Sequence, residues 1–79
     1  MTHKEILETL KLTIGLEATN NAGQTCQIAR EVNRGIVARF IMREMEDTNG
    51  VPFRPIISEI TDLTEEQAAG ILYAFSVMN

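Results

Sequence analysis

The sequence of 79 residues holds one cysteine, one histidine, two prolines and no tryptophan, and only 5% of it is aromatic. Each shortage excludes something. A lone Cys26 makes no internal disulfide, and with His3 as the only imidazole no Cys/His set offers the four ligands of a structural zinc. His3 has no second histidine beside it and makes no convincing base for Cys26 or a serine. No phosphate-cradling glycine loop or metal motif is present. The reading is therefore not an enzyme, with no cofactor and no metal.

Cations are scarce too, 7 Lys+Arg against 11 Asp+Glu for a net charge of −4. That balance disfavours nonspecific adhesion to nucleic acid or anionic lipid. Long hydrophobic runs are missing: the longest uncharged stretch, residues 67–79, has 13 residues, short of the about 18 that would span a membrane. Met1-Thr2-His3-Lys4-Glu5 leads into apolar residues interrupted by Glu8 and Lys11, which is no signal-peptide pattern, so the expected compartment is the cytoplasm. Chain is scarce as well. A domain of this size buries only about 60% of its extended surface and nets roughly 3–5 kcal/mol from its core. With no disulfide or metal, the staple left is another protein surface, from a second copy or a partner.

The patterning that is present reads as a single helical domain over residues 1–79. Thr2 with Glu5 forms a capping box, and Ile6, Leu7, Leu10 and Ile14 follow at helical spacing. Leu12 and Leu16 fall on the opposite side of that helix. This second greasy side is a short alternating strand from Leu12 to Leu16, a core that wraps both sides, or a partner-binding face. Residues 17–25, with Asn20-Asn21-Ala22-Gly23, read as a loop. A long helix is expected over 25–48, bent or broken near Gly35, where the apolar stripe of Ala29, Val32 and Ile36 gives way to Val37, Phe40, Ile41 and Met45. Cys26 sits at its start as a small buried hydrophobe. Gly50 stops it.

Pro55 opens a short helix over 55–60. Thr64 and Gln67 then cap a last helix over 65–78 that carries no charge from Ala68 onward. A helix apolar all round is either packed in the core or covered by a partner. The last two helices together suggest a helix-turn-helix, yet from Pro55 onward there is no Lys or Arg to read a groove, so the shape suits protein better than DNA. Arg30, Arg34, Arg39 and Arg43 on the middle helix either pair with Glu31, Glu44, Glu46 and Asp47 or anchor an interface.

The run Phe53-Arg54-Pro55-Ile56-Ile57-Ser58-Glu59-Ile60-Thr61, followed by an acidic helix start and then Leu72 and Phe75, resembles the C-terminal half of the AsiA family, small anti-sigma proteins of T-even-type phages. Asn33-Arg34 with Phe40-Ile41 is similar to that family's middle helix, and Lys4-Glu5-Ile6-Leu7 with Leu12 and Ile14 to its first. The resemblance implies an all-α fold: a small orthogonal domain of four to six helices with a helix-turn-helix-like C-terminal part, a homodimer when free, in the host-cell cytoplasm. It also implies binding to region 4 of the bacterial housekeeping sigma factor within RNA polymerase holoenzyme. Such binding blocks −35 promoter recognition, with co-activation beside a phage activator.

Carried to matching positions, the partner-binding residues are Glu5, Ile6, Leu7, Leu12 and Ile14, and the spare apolar side adds Leu16. Thr9 and Thr13 depart from the family pattern, and its aromatic, charged tail is missing. Two other readings stand beside this one. The chain is a small inhibitor of another host complex, or a small dimeric DNA-binding regulator that gathers the four arginines.

Overall fold

The computed structural model describes residues 1–77, and they form a mainly β protein. Helix α1 (His3–Leu10) leads into β1 (Gly15–Thr19), β2 (Thr25–Glu31) and β3 (Gly35–Ile41). A small ribbon of β4 (Met45–Glu46) and β5 (Pro52–Phe53) follows, then β6 (Ile56–Leu63) and α2 (Glu65–Val77). The large sheet is an antiparallel meander in the order β1-β2-β3-β6. Both helices contribute to one core with the sheet face built from Cys26, Ile28, Ile36 and Ala38; α1 supplies Ile6 and Leu10, and α2 supplies Ala68, Ala69, Leu72 and Phe75.

This overturns the all-α expectation, and with it the orthogonal helical domain and its helix-turn-helix-like part. The segment read as one long helix is the β2–β3 hairpin. Its turn lies where the apolar stripe rotates: Asn33 and Gly35 both take positive φ, at 65° and 66°, a conformation that turns a chain and ends a helix. On either side the apolar residues alternate. Cys26, Ile28, Ile36, Ala38 and Phe40 face the helices in register, while Gln27, Val37 and Arg39 face away. Thr25, Ile28, Ile36, Val37 and Ile41 are β-branched, and their stiff χ1 favours the pleated surface over the helix.

The expected helix over 55–60 is likewise strand, again rich in β-branched residues: Ile56, Ile57, Ile60 and Thr61. Both capping boxes form as the spacing predicts. Thr2 Oγ1 accepts from Glu5 N while Thr2 N donates to the Glu5 carboxylate, and Thr64 with Gln67 repeats the exchange at α2. No helix among the described residues is long and apolar enough to cross a membrane. Met78, where the expected last helix ended, lies outside the described residues.

Candidate interaction surface

Three features compete for attention on the surface: a cluster of ion pairs on the helix-free face of the sheet, the projecting β4–β5 ribbon, and the edge formed by β6 with the flank of α2. The first two hold the third in place.

On the helix-free face, Gln27, Arg39 and Glu59 stand in register across β2, β3 and β6. Arg39 bonds Glu59 through Nε at 2.5 Å and Glu31 through Nη2 at 3.1 Å. Arg34, in the turn, reaches the same two carboxylates at 2.9 and 3.0 Å. Hydrogen bonds from Arg34 and then Arg39 hold the Glu59 carboxyl below the usual carboxylate range, and Glu59 in turn raises both guanidinium groups. Val37 shares this face and is only 1% exposed. Arg30 pairs with Glu65 at 2.7 Å and also donates to the Leu10 carbonyl, which joins the end of α1 to the start of α2. Three of the four arginines singled out in the sequence are therefore tied to carboxylates. Glu31 is among the expected partners; Glu59 and Glu65 are not, because the helical reading set them on other elements.

The ribbon continues the β3–β6 hairpin beyond the body. Asp47 closes its tip, its Oδ1 accepting from Asn49 N and Val51 N at 2.8 and 2.9 Å. Arg54 fixes its base by donating to the Met42 and Gly23 carbonyls and to Thr25 Oγ1.

At the remaining edge, β6 pairs among the described residues only with β3, so its outer row of backbone groups has no described strand beside it. Every residue of β6 except Leu63 is exposed, Ile56, Ile57 and Ile60 among them. Helix α2 does not reach across to cover this strand. A groove is left between the two, made of two adjoining apolar hollows of about 500 and about 450 Å³. Phe40, Ile57 and Phe75 line the first and Ile60, Leu63 and Gly70 the second, with Ile71 and Ala74 between them. Two register shifts against β3 bracket the strand, one at Ile57 and one at 61–62, where Asp62 takes a φ of 57°. The regular stretch between them is Ser58-Glu59-Ile60.

The sequence-named partner residues are not gathered on one surface. Ile6 is buried in the core, and Leu7 and Leu16 pack against it from partly buried positions. Leu12 and Ile14 stand out to solvent between α1 and β1, 87% and 82% exposed, and Glu5 is engaged in its capping box. Cys26 is fully buried and its thiol is pushed up to about 11 by desolvation. Taking residues 55–60 for a helix hid the exposed strand that forms one wall of the groove; the β-branched Ile56-Ile57 and Ile60-Thr61 were the signal for that strand.

No family model matches this chain, and no curated protein or solved structure matches it either.

Proposed function

We propose that this protein works by binding another protein, as a small acidic docking partner for a basic surface. The observation that carries this reading is the exposed apolar edge of β6 and α2, whose own segment contributes acids and no cation. From Pro55 onward the sequence has no Lys or Arg, while Ile56, Ile57, Ile60, Tyr73 and Val77 are exposed beside Asp62 and Glu66. An exposed apolar patch rimmed by charge of one sign marks a recognition surface, and the charge selects a partner of opposite sign. The DNA-binding alternative loses ground because Arg30, Arg34 and Arg39 already neutralise glutamates.

Region 4 of the housekeeping sigma factor, basic because it reads DNA, is the first partner to test. The sequence resemblance that names it drew on a helical C-terminal half, and residues 56–63 are strand. What supports it now is charge and apolar surface alone. Titration of the full chain with isolated region 4, beside a low-salt electrophoretic shift with DNA, tests the reading. Saturable, salt-weakened binding to region 4 with no DNA shift is expected. Tight DNA binding without region 4 binding overturns the protein-docking class, and the absence of both removes sigma as the partner.

A further inference from the structure

We propose that the groove between β6 and α2 takes a short extended strand of the partner, added to the free edge of β6, with apolar side chains in the two hollows and Lys or Arg set against Asp62 and Glu66. The inference rests on the protein-binding reading and gives it a site and a ligand chemistry.

Three observations converge on it. Among the described residues the outer edge of β6 is unpaired, and between its two bulges Ser58-Glu59-Ile60 keeps the regular pleat that an incoming backbone needs. An added strand lies about 4.8 Å beyond β6 and points alternate side chains to opposite faces. On the helix side those side chains meet the hollows lined by Ile57, Ile60, Ile71 and Ala74. Main-chain bonds then supply affinity while pockets for alternate residues supply selectivity. The third observation is charge. Among the described residues no cation forms an ion pair with Asp62 or Glu66, whereas Glu59 is shared by Arg34 and Arg39. A cation on the incoming strand is therefore drawn to Asp62 and Glu66, since Arg34 and Arg39 already neutralise Glu59.

The same charges decide against a second copy of the chain as the occupant. Pairing β6 with itself brings Asp62, the acid of this strand that no arginine neutralises, beside a strand that carries the same acid and no Lys or Arg of its own. Like charges directly across a strand pair are destabilising. The bulges also shorten the straight edge, a device that limits self-association of edge strands. The straight stretch between them, Ser58-Glu59-Ile60, matches a short partner strand better than a second bulged one.

The test is a titration of the isotope-labelled full chain with a blocked heptapeptide of alternating valine and lysine, followed by backbone amide NMR. Its counterpart with glutamate in place of lysine is the control. Shifts concentrated on Ser58-Glu59-Ile60, Ile71 and Ala74 are expected with the lysine peptide and none with the glutamate peptide. The decisive variant is Ala74→Glu, at an exposed position on the wall of both hollows. It adds negative charge while filling the groove, so it weakens strand addition by about tenfold or more but strengthens plain charge attraction. Equal or tighter binding by Ala74→Glu, or shifts confined to Glu44, Glu46 and Asp47, overturns the proposal. So does sedimentation of the free chain as a dimer that Ala74→Glu dissociates, since the groove then holds a second copy. A chain that binds region 4 and ignores the lysine peptide refutes strand addition and leaves the protein-docking reading intact.

Discussion

Two residues four positions apart exchange their environments between the helical and the strand reading of the middle segment. On the expected helix Val32 lies on the apolar stripe; in the structure it sits in the β2–β3 turn, 88% exposed, while Ile28 is 1% exposed at the centre of the sheet. Leu16 on β1 and Ala38 on β3 flank Ile28 in register. Ile28→Ala removes three carbons, roughly 2.4 kcal/mol of transfer free energy at about 0.8 kcal/mol each. The cavity left in so enclosed a site raises the cost to about 3–4 kcal/mol, within the range of roughly 2–5 for such truncations. Each kcal/mol moves the melting midpoint of a domain this size by about 4–8 °C, so a fall of roughly 12–30 °C is expected. With only about 3–5 kcal/mol in hand, the variant would be close to unfolded at body temperature. Val32→Ala should stay within about 0.5 kcal/mol of the parent. Urea unfolding followed by circular dichroism reads both, with an unchanged slope showing that the compared states are the same. A Val32→Ala cost larger than that of Ile28→Ala would refute the strand register.

Three further outcomes follow from the same contacts. Cys26, buried and with its thiol at about 11, should resist a thiol reagent at mildly alkaline pH in the folded chain and react at once in denaturant; rapid labelling without denaturant would contradict its burial. Glu59, with its folded value lowered by Arg34 and Arg39, contributes stability that is present above its unfolded value of about 4.3 and lost as pH falls through the lower folded one. The melting gap between the parent and Glu59→Gln should accordingly shrink on acidification below about pH 4, and a pH-independent gap would remove the ion cluster as its source. Arg54→Ala releases the base of the ribbon, so the Asp47 and Val51 amides should exchange about tenfold faster while that of Ile28 keeps its rate. Uniform acceleration would instead mean that Arg54 supports the whole fold.

Local chemistry was legible in the sequence wherever a few adjacent residues settle it. Thr2 with Glu5 and Thr64 with Gln67 act through their own backbone and stand as read, and the centre of the expected 17–25 loop turns at residues 20–24. The helix stop expected at Gly50 is instead the tip of the β4–β5 ribbon, a hairpin that Pro52 disfavours on sequence grounds. The middle of the chain was not legible in this way. A helical wheel drawn through two alternating strands and their turn still collects apolar residues on one side for a while, and the drift at Gly35 marked the turn that breaks the pattern. Alternation from Cys26 to Ile28 and from Ile36 to Phe40, with Thr25, Ile28, Ile36, Val37 and Ile41 all β-branched, was the competing signal. The groove was hidden for a different reason. It exists only once β6 stands beside β3 and α2 folds back over the sheet, a juxtaposition that no spacing within residues 55–77 encodes.

The meander makes every ladder of the large sheet a pairing between strands joined by a hairpin, with only the small ribbon inserted between β3 and β6. The helical layer is different, because α1 and α2 pack together although Leu10 and Glu65 are 55 residues apart. Hairpins close quickly, whereas the long loop pays its closure entropy before any contact repays it. During synthesis the apolar face of the sheet, with Ile28, Ala38 and Phe40, therefore waits without its α2 cover until that helix has left the ribosome.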